Sequence, residues 1–118
     1  YYDSLSKAGS MLGSGAVIVM DNTTCMVSVL NRIVHFYSDE SCGQCSPCRE
    51  GATWMHKILD KIYKGEGKLS DIDLLNSIAN NICGKTICAF GDAVAMPVQG
   101  CIKHFRHEFE KYIKKNSK

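Results

Sequence analysis

Val98-Gln99-Gly100-Cys101-Ile102-Lys103-His104-Phe105-Arg106-His107-Glu108-Phe109-Glu110-Lys111-Tyr112-Ile113 is the stretch on which the fold turns. Its apolar members Val98, Cys101, Ile102, Phe105, Phe109, Tyr112 and Ile113 recur three and four apart, the spacing of one helix face. Pro97 suits the first turn of that helix, where a missing N–H costs nothing. Three earlier segments repeat the pattern. Met26, Val27, Leu30, Ile33, Val34 and Tyr37 make a stripe behind a cap at Asn22 or Thr23. Trp54, Met55, Ile58, Leu59 and Ile62 make another, stopped by Gly65-Glu66-Gly67, and its phase assigns Trp54 to the core. Leu74, Leu75, Ile78, Ala79 and Ile82 face inward on a third, with Ser70 as cap and Gly84 near the end. Four amphipathic helices with mostly short connections predict a mainly α fold, an antiparallel four-helix bundle.

Towards the N-terminus the pattern changes. Ala8 to Gly15 is rich in Gly and Ser and reads as a loop. Ala16-Val17-Ile18-Val19-Met20, ending at Asp21-Asn22, reads as a short buried strand. A lone strand is not stable, so its partners are expected outside this chain, which begins Tyr-Tyr-Asp rather than with Met and reads as a piece of something longer. Gly13 and Gly15 supply only half of a dinucleotide fingerprint, and they precede a strand instead of following one. At the other end, Lys114-Lys115-Asn116-Ser117-Lys118 reads as a frayed, solvated tail whose cations suit a helix C-terminus.

Composition narrows the function. The chain has 118 residues, a formal net charge of +2, 45% hydrophobic and 22% charged residues. One globular domain fits these values and disorder does not. A charge of +2 gives little field to gather phosphates, which argues against a nucleic-acid binder. No apolar run approaches the roughly 18 residues needed to cross a bilayer. Seven cysteines, at positions 25, 42, 45, 48, 83, 88 and 101, are an odd number with no export signal beside them. A disulfide framework is therefore disfavoured, and metal chemistry in a reducing compartment is favoured.

Glu40-Ser41-Cys42-Gly43-Gln44-Cys45-Ser46-Pro47-Cys48-Arg49-Glu50-Gly51 carries that chemistry. Three thiols in Cys-x-x-Cys-x-x-Cys spacing can hold three corners of a cubane iron–sulfur cluster, with a remote cysteine on the fourth iron. Gly43 and Ser46 are small enough to let backbone N–H groups approach the sulfurs. Arg49 places a positive charge beside the third thiol and favours the more reduced cluster. Zinc also accepts four thiolates, but its structural sites usually pair two Cys-x-x-Cys units or add a His pair. A thioredoxin-like motif needs a βαβ start that this helical pattern lacks.

Cys83, Cys88 and Cys101 compete to be the fourth ligand. Cys101 lies on an apolar stripe and reads as a packed thiol. Cys25, near the start of the first helix, reads as a core or surface thiol. Cys88 lies in the irregular stretch Lys85-Thr86-Ile87-Cys88-Ala89-Phe90-Gly91-Asp92, which can return to the end that holds loop 42–48. Spacing favours Cys88 and leaves Cys83 open. Among the histidines, His104 and His107 share a helix face at i, i+3, but Lys103 and Arg106 repel a cation there, so the face reads as solvated. His35 and His56 are assigned no chemistry.

The loop 40–51, the segment Thr86-Ile87-Cys88-Ala89-Phe90-Gly91-Asp92 and the following Pro97-Val98-Gln99-Gly100 resemble the NADH-binding flavin subunit of respiratory NADH:quinone oxidoreductase. The likeness runs from Gly13 to Phe109, through two separated motifs in order. It implies a [4Fe–4S] cluster held by Cys42, Cys45, Cys48 and Cys88, and thereby selects Cys88 over Cys83. It implies a one-electron relay from FMN, reduced by NADH, to iron–sulfur clusters of neighbouring subunits. It divides the chain into residues 1–21, the tail of a ubiquitin-like β-grasp domain, and 22–118, a helical cluster-binding domain. The flavin and NADH sites of the family precede every residue present, so no catalytic residue is expected and the piece alone should not oxidise NADH. The assembly is expected on the cytoplasmic side of a bacterial inner membrane, or the mitochondrial matrix side, as a peripheral arm without membrane insertion. Related flavin subunits of NAD-linked hydrogenases and formate dehydrogenases share the triple-Cys loop and tend towards Asn-Pro-Val after the fourth Cys. Met96-Pro97-Val98-Gln99-Gly100 looks more like the respiratory enzyme, although Met96 stands where that pattern often has an aromatic. A structural zinc-binding helical module is the reading from another class.

Overall fold

The computed structural model describes residues 1–116. Its helices in order are α1 (Tyr2–Lys7), α2 (Met26–Glu40), α3 (Ser46–Tyr63), α4 (Leu69–Ile82) and α5 (Phe90–Asn116). The last four pack as the bundle that their apolar stripes predict. Each buries its stripe in a shared core that includes Leu30, Val34, Met55, Leu59, Ile62, Leu75, Val98 and Phe109. Helix α1 has no buried residue. No helix among the described residues is long and apolar enough to cross a membrane.

Helix boundaries follow local chemistry. The Asp21 carboxylate accepts the Thr23 N–H at 3.0 Å and both neighbouring threonine hydroxyls, which holds it below the usual carboxylate range. That turn carries the chain into α2, whose cap is Cys25 rather than Asn22 or Thr23. Helix α3 starts inside the cysteine motif, with Pro47 in its first turn, so Cys48 is already helical. It stops where Gly65 takes φ +87°, a left-handed conformation suited to glycine. Helix α4 begins earlier than the expected cap Ser70. Its cap is Lys68, and the Asp71 carboxylate reaches back to the Lys68 N–H at 2.9 Å. Asp71 is buried, and Lys61 compensates its charge at 3.4 Å.

The structure departs from the sequence expectations at further points. Helix α5 begins at Phe90, so Pro97 lies inside it instead of in its first turn, and the Ala93 carbonyl loses an intrahelical donor. Asp92 explains the earlier start, since a carboxylate in the first turn suits the positive helix end. The helix breaks regularity at Phe105 (φ −125°, ψ 19°). Trp54 is 53% exposed, because it lies about 100° round α3 from Met55, at the edge of the buried stripe. Leu74 is exposed for the same reason, and Ile72 takes the inward place. Residues 16–20 form no strand, and none occurs among the described residues. Val17, Ile18 and Val19 lie exposed because no other described segment offers them a ladder. At the C-terminus, Lys114, Lys115 and Asn116 continue α5 as exposed helix, while Ser117 and Lys118 lie outside the described residues.

Candidate metal centre

Short turns reverse the chain after each of α2, α3 and α4, so loops 41–45 and 83–89 emerge at one end of the bundle. The loop joining α3 to α4 lies at the other. At the shared end, Glu40, Ser41, Cys42, Cys45, Cys48, Thr86, Cys88 and Phe90 line a cavity of about 180 Å³. Cys42, Cys45, Cys48 and Cys88 are all on its wall. Cys48 is the most enclosed, at 7% exposure, while Cys42 and Cys88 stand at the rim.

Both loops are held by specific bonds. Gly43 takes φ +83°, and the Arg49 guanidinium donates to its carbonyl at 2.6 Å and to the Ser46 hydroxyl at 3.3 Å. The same guanidinium pairs with Glu50 at 3.1 Å, so Arg49 ties the first loop onto the start of α3. In the second loop, Asp92 accepts the Gly84 N–H at 2.7 Å, and the Thr86 hydroxyl donates to the Cys88 carbonyl at 2.8 Å. Phe90 meets Tyr37 of α2 edge-on, with centroids 4.9 Å apart, and so roots the second loop against the first pair of helices.

Two sulfurs already have polar company. The Ile87 N–H donates to Cys45 Sγ at 3.4 Å, and the Ser41 hydroxyl lies 3.3 Å from Cys48 Sγ. Soft sulfur donors round a cavity, with N–H and O–H groups turned towards them, are the surroundings an iron–sulfur cluster requires. The residues therefore fit that group. Among the described residues, no three His, Cys, Asp or Glu side chains close on a single point as a one-ion cage would.

The other cysteines lie elsewhere. Cys83 caps α4 and packs against the core, and burial with the Asp92 carboxylate pushes its thiol up. Cys101 sits on the inner side of α5, where burial raises it to about 11. Both environments favour the protonated thiol over the thiolate that binds metal. Cys25 is exposed at the opposite end, beside Asn22 and Tyr112. His104 and His107 are exposed. His35 and His56 stack with ring centroids 4.4 Å apart, and His35 contacts Asp39 at 3.2 Å. Burial first, and the His35 charge second, pull His56 below the usual imidazole range. Sequence reading missed this pair, although His-x-x-x-Asp occurs on both α2 and α3. It also missed the support given by Ser41, the Ile87 amide and Thr86, since single polar residues in loops carry no periodic signal.

Fold and cavity define a class: a helical bundle carrying a cysteine-lined pocket for an iron–sulfur group. The chain belongs to the NADH-ubiquinone oxidoreductase-F iron-sulfur binding region family, whose sequence pattern matches residues 28–112. A [4Fe–4S] cluster is the cofactor of that family. The chain is 52% identical over 112 residues to the F subunit of the NADH-quinone oxidoreductase of Rickettsia bellii, covering 95% of this chain and 27% of that protein. The corresponding Streptomyces coelicolor protein is 48% identical over 112 residues, again 95% of this chain and 25% of that protein. The chain thus spans about a quarter of the length of these relatives. Among solved structures it is similar to an air-oxidised NAD+-reducing [NiFe]-hydrogenase. That match has a TM-score of 0.82 and 30% identity over 89% of this chain and 18% of the other.

Proposed function

We propose that this chain is the electron-relay segment of an NADH-binding subunit of an NADH:quinone oxidoreductase, with Cys42, Cys45, Cys48 and Cys88 as the ligands of a [4Fe–4S] cluster. One observation carries the reading: two loops far apart in sequence bring these four thiols onto one cavity. A cluster bound there supplies reversible one-electron chemistry. The chain's own part is to hold and tune it. Four thiolates fix its corners, the Ile87 N–H and Ser41 O–H are placed to donate to sulfur, and both favour the more negative reduced state. Phe90 and the enclosed Cys48 keep water from its inner side, while Cys42 and Cys88 at the rim leave a short path to a neighbour.

In this reading, FMN reduced by NADH is the donor, elsewhere in the same subunit. Another iron–sulfur subunit of a peripheral arm is the acceptor, on the cytoplasmic or mitochondrial matrix side. Residues 1–21 then belong to a neighbouring β-grasp domain, which would cover the exposed Val17-Ile18-Val19. The hydrogenase alternative draws on the solved structures at 30–31% identity. The respiratory reading is preferred because its relatives reach about 50% over nearly the whole chain. Anaerobic loading with iron and sulfide tests the relay: the chain should turn brown and show a paramagnetic signal on one-electron reduction. A colourless chain that takes zinc and rejects iron and sulfide would identify a structural zinc module instead.

A further inference from the structure

Thr86 lines the cavity without being a ligand, and its surroundings give it a second task. Its hydroxyl donates to the Cys88 carbonyl at 2.8 Å. Its side chain lies flat on Gly91, which is buried. A Cβ added at Gly91 would sit 2.4 Å from Thr86 Oγ1, 2.5 Å from its Cγ2 and 3.0 Å from its Cβ. Only glycine at position 91 lets Thr86 reach this place. Between Thr86 and Cys88 lies Ile87, whose side chain is 87% exposed while its N–H turns inward onto Cys45 Sγ at 3.4 Å. Among the described residues little covers Ile87 to hold the amide in place, which leaves that task to the neighbouring Thr86 turn.

We propose that Thr86, seated on Gly91, is a positioning residue that holds the Ile87 N–H on Cys45 sulfur and so sets the reduction potential of the metal centre. This rests on the iron–sulfur reading above. Contact with Gly91 fixes the Thr86 side chain on one side, and its hydroxyl closes the 86–88 turn by donating to the Cys88 carbonyl on the other. Without the hydroxyl bond the turn opens, the amide swings from Cys45, and the reduced state loses one donor. The potential then becomes more negative.

The test compares the 118-residue chain with Thr86→Val, which keeps the shape, and Thr86→Ser, which keeps the hydroxyl. Each is loaded anaerobically with iron and sulfide, titrated for its midpoint potential by electron paramagnetic resonance, and challenged with a chelator. Exchange of the Ile87 amide is measured on the metal-free chains. Loss of one hydrogen bond predicts a roughly two- to tenfold weaker preference for the reduced state in Thr86→Val. Tenfold corresponds to about 59 mV for a one-electron couple. Chelation and Ile87 exchange should both be faster, and Thr86→Ser should recover most of each change. If Thr86→Val matches the parent in potential and Ile87 exchange, the proposal is overturned. It is equally overturned if Thr86→Ser fails as badly as Thr86→Val. If the parent chain itself takes no cluster, the iron–sulfur reading fails, a result distinct from these.

Discussion

Gly51 joins the fold to the metal centre, and Gly51→Ala is the substitution we develop first. Gly51 lies on α3 one turn after Cys48 and is buried against α4. A Cβ there would sit 2.5 Å from Ile82 Cδ1, 2.8 Å from Ile82 Cγ1 and 3.7 Å from Ile78 Cγ2. Ile82 is itself 1% exposed, so its side chain has little room to retreat. Overpacking of this kind costs about 1–3 kcal/mol. Alanine returns about 1 kcal/mol through its better helix propensity. The balance is a net loss of about 1 kcal/mol, approaching 2 kcal/mol if α3 and α4 must part. Urea unfolding followed by helical circular dichroism, on metal-free chain with reductant present, removes stabilisation by bound metal from the comparison. Ile82→Val takes away the nearest atom at its own cost of about 0.5–1.5 kcal/mol. Gly51→Ala should therefore be milder by about 1 kcal/mol in that background. Strict additivity, or Gly51→Ala stabilising both backgrounds, would refute the claim that glycine sets the approach of α3 to α4.

Ligand identity predicts a second contrast: Cys88→Ser should lose or degrade the cluster, while Cys83→Ser and Cys101→Ser retain it, as read by iron content after anaerobic loading. Retention in Cys88→Ser together with loss in Cys83→Ser would reverse the assignment. A third prediction concerns pH. His56 is held below its ordinary value, so the folded chain binds fewer protons than the unfolded one once pH falls under about 6.5. Stability is complete above that value and declines as pH falls towards the folded pKa. Urea titrations at about pH 7.5 and 5.5, either side of the ordinary imidazole value, should show the decline. His56→Gln should flatten it; an unchanged slope in that variant would remove His56 as the cause.

The bundle was legible because helical periodicity survives averaging over a whole element. Val27-Leu30-Val34 and Val98-Ile102-Phe109 announce buried faces whatever their neighbours do. The edges were not legible. Trp54 and Leu74 lie beside a stripe, and hydrophobicity alone cannot distinguish its margin from its middle. Pro97 misled because its usual position is a helix start, whereas here Asp92 and the Thr86 turn begin α5 well before it, at Phe90. Three of the four cavity thiols were legible in their spacing. Choosing a fourth needed the family resemblance, since sequence spacing does not show which of Cys83 and Cys88 the 83–89 loop turns to the cavity. The supporting groups were hidden because a backbone N–H or a single hydroxyl gains its role from a partner distant in sequence, as Ile87 does from Cys45.

Iron and acid-labile sulfide per chain, measured after anaerobic loading and desalting, test the central claim most directly. The four thiols on one cavity predict four irons and four sulfides, with less iron retained when Cys88 is replaced by Ser. A chain that instead holds a single zinc, with no sulfide, would contradict it.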